Sequence, residues 1–557
     1  MRLAMLVLAG AAAAAAGAEP APAQSPAETD TGPHYQWSIP VARPSGKTAT
    51  CRAWIPPAAD RIRGLLIGSQ AALTDDPAIR RACAAERLAI LSVGINAVFN
   101  YKAGDDAETF LKVLDEVAKA TGYEEVRFAP YFTFGHSVAC NYATAAACWQ
   151  PARCFGALVF KGGLVIPSYD PAADVSGIPI LAIAGQFEEF GPGPSGVLRD
   201  YEDRETGWTT SRRNYLALRA ASERILISLC VEAGTTHMAW SPRDGEYVAL
   251  FIRKAAQARI PDWPVDSQEP VKCREIDPKS GALTTAAVTN PAAPKAALYA
   301  DWKESFQGPR GATWWHADMD LARAWEAFHA GRFNKRNQYV TFADPTTGKT
   351  LYSRHDLRFA ATYAWVGPDV FKVAGAFLLE ARDRYPAPEP PVGHAEGPIR
   401  FRLFGGSGVE QAGPDTFRVV RAGAGGASAA IVAYHPGDAT YRYAEQPASV
   451  KLAALAKGKP QTITFPPIGD PAPDGGRRLK RGAEVPLAAV SDSGLPVAYA
   501  VQDGPAVIRD GKLVITGIPP RGKGPFTVKV TAYQWGSAVE PFVQTAAPVT
   551  QTVTVGP

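Results

Sequence analysis

The chain has 557 residues, of which 46% are hydrophobic and 20% are charged, as in ordinary globular proteins. This composition excludes a disordered or fibrous protein. The length exceeds what one hydrophobic core usually organises, so we expect three folded units. The formal net charge is only +4, and no block of lysine and arginine stands out. We therefore expect no nucleic acid among its partners.

The first 23 residues are typical of a secretory signal peptide. Met1-Arg2 is a positive start, residues 3–16 are an apolar run, and Ala21-Pro22-Ala23 is a small-x-small cleavage site before Gln24. The run is too short and too rich in alanine to be a good membrane span. No later stretch approaches the ~20 apolar residues that a spanning helix needs. We therefore expect an exported protein, periplasmic or secreted, without a membrane span.

Residues 24–265 predict an α/β domain with a mostly parallel sheet. Short apolar runs alternate there with amphipathic helical ones, and runs that are apolar throughout fit strands buried on both faces. The predicted strands are 64–67, 89–93, 127–134, 156–160, 178–184 and 224–231. The predicted helices are 76–87, 106–121, 141–148, 211–221 and 245–258.

The composition changes after residue 260. Proline-rich and alanine-rich stretches predict a linker over 266–299. Residues 300–457 begin with an aromatic helical segment and continue as short strands between Gly and Pro clusters, which predicts a β-sandwich-like accessory domain. Residues 458–557 show alternating strands and predict an all-β module.

The last unit resembles a bacterial immunoglobulin-like module. The resemblance lies in Gln461-Thr462-Ile463-Thr464-Phe465, Ser493-Gly494-Leu495-Pro496-Val497 with Tyr499, Gly504-Pro505-Ala506 and Ala532-Tyr533-Gln534. Such modules are appended to many secreted bacterial proteins. The resemblance implies an immunoglobulin-like fold with a spacer or adhesion role and no chemistry of its own.

A candidate nucleophile lies in Phe134-Gly135-His136-Ser137-Val138-Ala139, between an apolar strand and a helix of small residues. A serine two residues after a glycine at a strand-to-helix turn is a nucleophile elbow. The sharp turn strains the serine backbone, needs small neighbours and places the hydroxyl at a helix N-terminus, where negative charge is favoured. By these residues the region from about 50 to 260 resembles the α/β-hydrolase superfamily, although Ala139 stands where a glycine is usual.

The resemblance implies a serine hydrolase whose triad follows the chain order Ser, acid, His. The acid should follow the next-to-last strand, where Glu188 is the better candidate and Glu189 the alternative, although both could be solvated loop carboxylates. The base should follow the last strand, where His237 stands in Gly234-Thr235-Thr236-His237-Met238. A histidine can take the serine proton near neutral pH, and the acid orients its imidazole. His136 is expected to pack beside the elbow without transferring protons.

The oxyanion of the reaction needs two backbone N–H donors. By position, one is Val138, which follows the nucleophile, and the other is Gln70 or Ser69, in the loop after strand 64–67. Three aromatic residues could line the substrate cleft or belong to the core: Tyr101, Trp208 and Trp240. The polar stretch 190–210 suits a hydrophilic or bulky substrate better than a triglyceride.

The middle domain carries an aromatic cluster of Trp302, Trp314, Trp315, His316 and Trp325. Exposed aromatic rings stack on sugars, but a helix packed on the sandwich explains the cluster as well, and we favour it. The spacing of His316, Asp318 and Asp320 resembles that of metal ligands, although acidic residues at the start of a helix are the better interpretation. We expect no metal site and no cofactor.

All 7 cysteines stand in the first half of the chain, and the odd number leaves at least one thiol unpaired. Cys148 and Cys154, which bracket a short loop, are the best candidates for a disulfide.

The leading hypothesis is an exported carboxylic ester hydrolase that works through an acyl-enzyme on small-molecule or polysaccharide esters. A catalytically inactive hydrolase fold used for binding or adhesion, and a serine peptidase on the same scaffold, are the alternatives. The sequence makes no prediction of the oligomeric state.

Overall fold

The computed structural model describes residues 35–556 except 44–45, 70, 95–105, 163–174, 187–206, 286–298, 302–307, 331–334, 352–359, 380–392, 405–407 and 424. Several sequence predictions lie outside the described residues: the signal peptide, Gln70, Tyr101, Glu188, Glu189 and Trp302.

The described strands of the N-terminal region form one sheet of eight. They are β1 (Trp37–Ala42), β2 (Thr48–Trp54), β3 (Gly64–Ser69), β4 (Leu88–Val93), β5 (Tyr131–His136), β6 (Cys154–Phe160), β7 (Pro179–Gly185) and β8 (Leu226–Glu232). The strand order is β1-β2-β4-β3-β5-β6-β7-β8. β2 is antiparallel to β1 and β4, and every other pairing in the sheet is parallel. This mostly parallel sheet confirms the α/β prediction and fits the α/β-hydrolase type.

Burial explains which strands the sequence predicts. β3 and β5 to β8 are buried at every position, so each is a largely apolar run. β1 and β2 alternate between buried and exposed residues and were not predicted.

The described α-helices are α1 (Ala71–Thr74), α2 (Pro77–Glu86), α3 (Asp106–Thr121), α4 (Cys140–Trp149), α5 (Gly207–Ala221), α6 (Pro242–Arg259) and α7 (Met319–His329). All five helices predicted within 24–265 are present. α2 begins at a proline because the side chain of Asp76 accepts hydrogen bonds from its first free N–H groups. α6 begins the same way, with a capping box formed by Ser241 and Asp244.

The predicted linker, 266–299, packs in part on the α/β domain. Val271 N donates to Phe128 O at 2.9 Å, and Cys273 N donates to Ala152 O at 2.7 Å. Strand β9 (Ala282–Thr285) pairs with β10 (Tyr299–Asp301) and β11 (Thr313–His316), and β11 lies beside β8. The described part of this segment is therefore not a free spacer.

The aromatic segment also packs on the α/β domain. Trp314, Trp315 and Trp325 are at most 1% exposed, so these three rings present no sugar-stacking face. Helix α7 contacts α6 and β8, which confirms helix packing but corrects the expected partner from the sandwich to the α/β domain. Asp318 caps α7 by accepting from Leu321 N at 2.9 Å, as expected of a helix-start acid.

The rest of the accessory domain is antiparallel. Its strands are β12 (Val340–Ala343), β13 (Ala364–Trp365), β14 (Val370–Lys372), β15 (Ala374–Phe377), β16 (Arg400–Leu403), β17 (Val409–Gln411), β18 (Thr416–Val419), β19 (Ala427–His435) and β20 (Ala444–Leu452). They form the sheets β12-β15, β13-β14-β18-β17 and β16-β19-β20. A separate core that includes Phe342, Phe371, Phe417 and Ile431 lies among them, which confirms a β-rich domain.

The C-terminal unit is all-β. Its strands are β21 (Ile463–Thr464), β22 (Asp470–Pro471), β23 (Arg477–Leu479), β24 (Glu484–Pro486), β25 (Val490–Ser491), β26 (Ala498–Asp503), β27 (Ala506–Arg509), β28 (Lys512–Ile515), β29 (Phe526–Tyr533) and β30 (Val549–Val555). They form a five-stranded sheet, β22-β23-β30-β29-β26, with a three-stranded sheet and a strand pair. The β-rich composition is confirmed, while the immunoglobulin-like fold stays a prediction.

All seven cysteines are described, and the structure joins none of them in a disulfide. The predicted Cys148–Cys154 disulfide is therefore not formed: Cys148 lies on α4, and the thiol of Cys154 is 3.2 Å from Gly156 O within β6. Among the described helices, none combines the length and hydropathy of a membrane span.

Candidate active site

Ser137 directly follows β5 at a strained turn. Its φ is +57°, a left-handed conformation that is uncommon outside glycine and costs free energy. Two glycines make room for the turn. A Cβ at Gly135 would lie 2.0 Å from Ala139 O, and one at Gly162 would lie 2.5 Å from Ser137 O. The strand, the strained serine and the following helix have the geometry of a nucleophile elbow.

The candidate oxyanion donors surround this turn. Residues 137–139 form a 3₁₀ turn that leads into α4, and N–H groups in the first turn of a helix have no partner within it. Val138 belongs to that turn, and its side chain is 61% exposed, so this side of the elbow faces solvent. Ser69 ends β3 and pairs in register with Gly135. Both predicted donor regions therefore lie beside Ser137, at the carboxyl edge of the sheet.

His237 lies in the segment 233–241 between β8 and α6, which we call the His237 loop. His237 is 1% exposed. Its ring centroid is 4.9 Å from that of His136, and His136 Nε2 donates to His237 O across 3.0 Å. The residue next to Ser137 thus contacts His237, and the turn and the loop meet at one edge of the sheet.

His136 has a structural part in this contact. Burial, followed by the charge of His237, lowers the pKa of His136 to about 3. Its imidazole is therefore neutral at physiological pH and donates from Nε2 to the carbonyl of His237. This agrees with the expectation that His136 packs beside the elbow.

Sequence reasoning missed Lys161, which lies directly after β6. Its Nζ is fully buried, 2.9 Å from Glu232 Oε2. The same Nζ donates to Thr236 O at 2.7 Å and to Ala239 O at 2.8 Å, so it holds the His237 loop on both sides of His237. Burial lowers the pKa of Lys161, but nearby carboxylates, led by Glu232, outweigh this effect and raise it. The signal in the sequence was a lysine that ends an otherwise apolar strand.

Asp244 is a second buried carboxyl beneath the loop. Its Oδ2 accepts from Ser241 N at 2.7 Å and from Ser241 Oγ at 2.9 Å, which closes the capping box of α6. Burial, followed by the charge of Glu232, raises the pKa of Asp244 well above its usual value. The raised pKa favours the protonated form of Asp244.

Trp240, one of the predicted cleft residues, belongs to the core. It is 9% exposed, its Nε1 donates to Asp76 Oδ2 at 2.9 Å, and its ring meets Phe160 edge-on at 5.0 Å. These contacts occupy the indole and favour the core alternative for Trp240. Trp208 lies in the first turn of α5.

The described site brings together groups suited to nucleophilic chemistry. A serine on a strained turn, a histidine loop against that turn and N–H groups of a helix start are brought to one sheet edge. Within the described ranges, no group of three or more His, Cys, Asp and Glu side chains could hold a metal ion.

No protein-family model matches the chain, and no curated protein is similar to it at a significant level. Solved structures are similar to part of it. A poly(3-hydroxybutyrate) depolymerase from Bordetella parapertussis is 16% identical over 41% of this chain and 92% of its own, with a TM-score of 0.28. An esterase from Pyrobaculum calidifontis is 14% identical over 40% and 86%, with a TM-score of 0.28. A carboxylesterase from a metagenomic library is 15% identical over 40% and 88%, with a TM-score of 0.29. Because these TM-scores are low, the function has to be judged from the site itself.

Proposed function

We propose that this chain is an exported serine hydrolase that cleaves carboxylic esters through an acyl-enzyme. Ser137 is the nucleophile, His237 the base, and Glu188 the acid, with Glu189 as the alternative. The observation that carries the proposal is the strained backbone of Ser137, at φ +57° between a buried strand and a helix. Such strain persists only where the surrounding structure enforces it, and it clusters at functional sites.

The proposed reaction has two halves. His237 takes the proton of Ser137 Oγ as the oxygen attacks the ester carbonyl, and the negative charge on the carbonyl oxygen is held by Val138 N–H and by Gln70 or Ser69 N–H. His237 then gives its proton to the departing alcohol, which leaves an acyl group on Ser137. In the second half, water attacks the acyl group with His237 again as base, and the acid and free serine are released.

The proposed substrates are small-molecule or polysaccharide esters outside the cytoplasm. The signal-like N-terminus and the two β-rich units that follow the α/β domain support this proposal. The polar residues of 190–210 favour a hydrophilic substrate over a triglyceride.

The decisive experiment is covalent labelling of the full chain with a fluorophosphonate, together with turnover of p-nitrophenyl acetate. Ser137→Ala should abolish labelling, and turnover should fall roughly 10⁴-fold or more in both Ser137→Ala and His237→Ala. Ser267→Ala, a serine remote from the sheet edge, is the matched control and should behave as wild type. Folded wild-type protein that takes up no label would favour the inactive binding protein instead.

The acid can be assigned by a paired comparison. Glu188→Gln and Glu189→Gln remove one negative charge each from adjacent positions. Loss of the acid leaves His237 without its orienting partner, so we expect kcat to fall by about 10⁴-fold in Glu188→Gln only. Wild-type kcat in Glu188→Gln together with loss in Glu189→Gln would move the assignment to Glu189.

A further inference from the structure

The His237 loop is bonded at both ends to the β-rich accessory domain. At one end, Arg402 Nη1 donates to Trp240 O at 2.8 Å. At the other, Glu445 N donates to Gly234 O at 3.1 Å. Gly234 has φ +79°, and a Cβ there would lie 1.7 Å from Tyr443 O, so the accessory domain lies directly against the loop. His237 stands between these two attachment points.

Arg402 is itself held in a buried ion pair. Its Nη2 is 2.9 Å from Glu445 Oε2, and the side chains of Arg402 and Glu445 are 20% and 1% exposed. Tyr443 Oη donates to the same carboxylate oxygen at 2.6 Å. Arg402 and Glu445 lie on β16 and β20, the outer strands of the sheet β16-β19-β20. A guanidinium fixed by a buried carboxylate on a sheet is a rigid donor for the carbonyl of Trp240.

A third tether reaches the same loop through Gln186. Gln186 Oε1 accepts from Gly234 N, and Gln186 Nε2 donates to Asn337 Oδ1 at 3.1 Å. The loop end at Gly234 is therefore connected to the accessory domain through its N–H as well as its carbonyl. Gln186 directly follows β7, the strand that precedes the candidate acids.

We propose that Arg402 and Glu445 are positioning residues of the hydrolase site, which makes the accessory domain part of the catalytic unit. The inference rests on the proposed function, because it concerns the placement of the base His237 against Ser137. A general base must come within about 2.6–3.2 Å of the proton it takes. A displacement of ~1 Å in such a group can cost about 10²-fold in rate. Neither residue touches substrate; both act through the backbone of the His237 loop.

The test is steady-state hydrolysis of p-nitrophenyl acetate by full-length Arg402→Met. This variant keeps the bulk of the side chain and removes the donor to Trp240 O. We expect kcat to fall by about 10- to 100-fold while KM changes by less than about twofold, because the loss affects the placement of the base in the chemical step. The rate of fluorophosphonate labelling of Ser137 should fall in parallel. Arg402→Lys, which keeps a cationic donor, should recover part of the loss.

Arg521→Met is the matched control, because Arg521 also pairs with a buried carboxylate, at 2.9 Å from Glu125, but far from the His237 loop. It should lower the melting temperature and leave kcat unchanged. Glu445→Gln is the second variant. It retains the shape of the side chain, weakens the ion pair with Arg402 and should also lower kcat. If Arg402→Met does not fold, Glu445→Gln decides the question.

The outcomes separate the two proposals. Folded Arg402→Met or Glu445→Gln with wild-type kcat would overturn the positioning role while Ser137→Ala still abolishes turnover. Equal losses of kcat in Arg402→Met and Arg521→Met would also overturn it, because the effect would then be a general loss of stability. Turnover that survives Ser137→Ala would instead refute the proposed hydrolase itself.

Discussion

The turn at Ser137 is tight enough that it requires a residue without a side chain at Gly135. A Cβ there would be 2.0 Å from Ala139 O and 2.7 Å from Cys140 N. Both atoms belong to the backbone at the start of α4, so the turn has to open to admit a methyl group. We expect Gly135→Ala to lower the free energy of unfolding by about 3 kcal/mol and to abolish ester turnover. Urea unfolding and p-nitrophenyl acetate hydrolysis measure the two effects.

The control for this change is Gly94→Ala. Among the described residues, the atom nearest to a Cβ at Gly94 is Thr50 O, at 3.8 Å, so the added methyl group meets an ordinary contact there. Its unfolding curve should match that of the wild type. Wild-type stability and turnover in Gly135→Ala would show that the turn at Ser137 is not as tight as the structure has it.

Asp244 makes stability depend on pH in an unusual direction. Its native pKa is raised by burial and then by Glu232, whereas the unfolded carboxyl titrates near ~3.9. The native state therefore retains a proton that the unfolded state releases. The contribution of Asp244 to stability is complete below the unfolded pKa of ~3.9 and is lost as the pH rises through the native pKa. Asp244→Asn mimics the protonated form. It should match wild type near pH 4 and be more stable than wild type at pH 8, in urea unfolding at both pH values.

Asp438→Asn should show the opposite pattern. Backbone N–H groups, first that of Tyr441, lower the pKa of Asp438, so its contribution is present above ~pH 4 and is lost as the pH falls through the native pKa. The asparagine variant should be less stable than wild type at pH 8 and equal to it near pH 2. If Asp244→Asn is also less stable than wild type at pH 8, the raised native pKa of Asp244 is wrong.

At the scale of elements, one carboxylate joins α2 to the His237 loop. Asp76 Oδ1 accepts from Ala78 N at 2.8 Å and from Ile79 N at 3.3 Å, and Oδ2 accepts from Trp240 Nε1 at 2.9 Å. Asp76→Ala removes the helix cap, worth ~1 kcal/mol, and leaves a buried indole N–H unpaired, which costs about 1–3 kcal/mol more. We expect a total loss of about 2–4 kcal/mol in urea unfolding.

A double-mutant cycle separates the two parts of this loss. Trp240→Phe removes the indole N–H, so adding Asp76→Ala to it should cost only the cap, ~1 kcal/mol. Strict additivity of the two substitutions would mean that the hydrogen bond between Asp76 and Trp240 contributes nothing.

The elements that the sequence predicted are those whose own residues form a clear hydrophobic pattern. β6 and β7 are buried at every position, and α3 spans the predicted 106–121 because its apolar residues recur at helical spacing. β1 and β2 alternate between buried and exposed residues, and β9 is only four residues long between proline-rich stretches, so none of the three produced a clear signal. The elbow was predictable because a strained turn imposes residue types within five consecutive positions.

At the scale of the whole molecule, prediction from sequence ended where residues distant in the chain meet. Nothing local to Arg402 indicates that it reaches Trp240 O, because that contact depends on how two separate sheets meet. Nothing near Lys161 points to Glu232 either, because only the strand order of the sheet brings the ends of β6 and β8 close together. Trp240 was ambiguous for the same reason: an indole suits a cleft or a core equally until its neighbour, Asp76, is known. The proposed nucleophile could thus be predicted from the sequence, whereas the groups that position the proposed base, His237, could not.

The C-terminal unit is joined to the α/β domain by a specific contact. Arg521 contacts both carboxylate oxygens of Glu125, at 2.9 and 3.2 Å, and its guanidinium lies 4.8 Å from the ring centroid of Tyr123. Lys523 N donates to Thr121 O at 2.9 Å. The side chain of Glu125 is fully buried, so it depends on Arg521 for its countercharge. This attachment argues against a freely moving spacer.

Arg521→Met should therefore weaken the attachment. It leaves the buried carboxylate of Glu125 without its cation, and we expect a loss of roughly 2 kcal/mol. In calorimetry, the C-terminal unit should unfold in a separate transition at a lower temperature, while ester turnover stays at the wild-type rate. Arg478→Met, which breaks the exposed pair with Asp474 in the same unit, should leave the calorimetric trace unchanged because exposed ion pairs contribute little. Identical traces for the two variants would mean that Arg521 adds nothing to the attachment, which would then rest on the other contacts, such as Trp37 against Phe526.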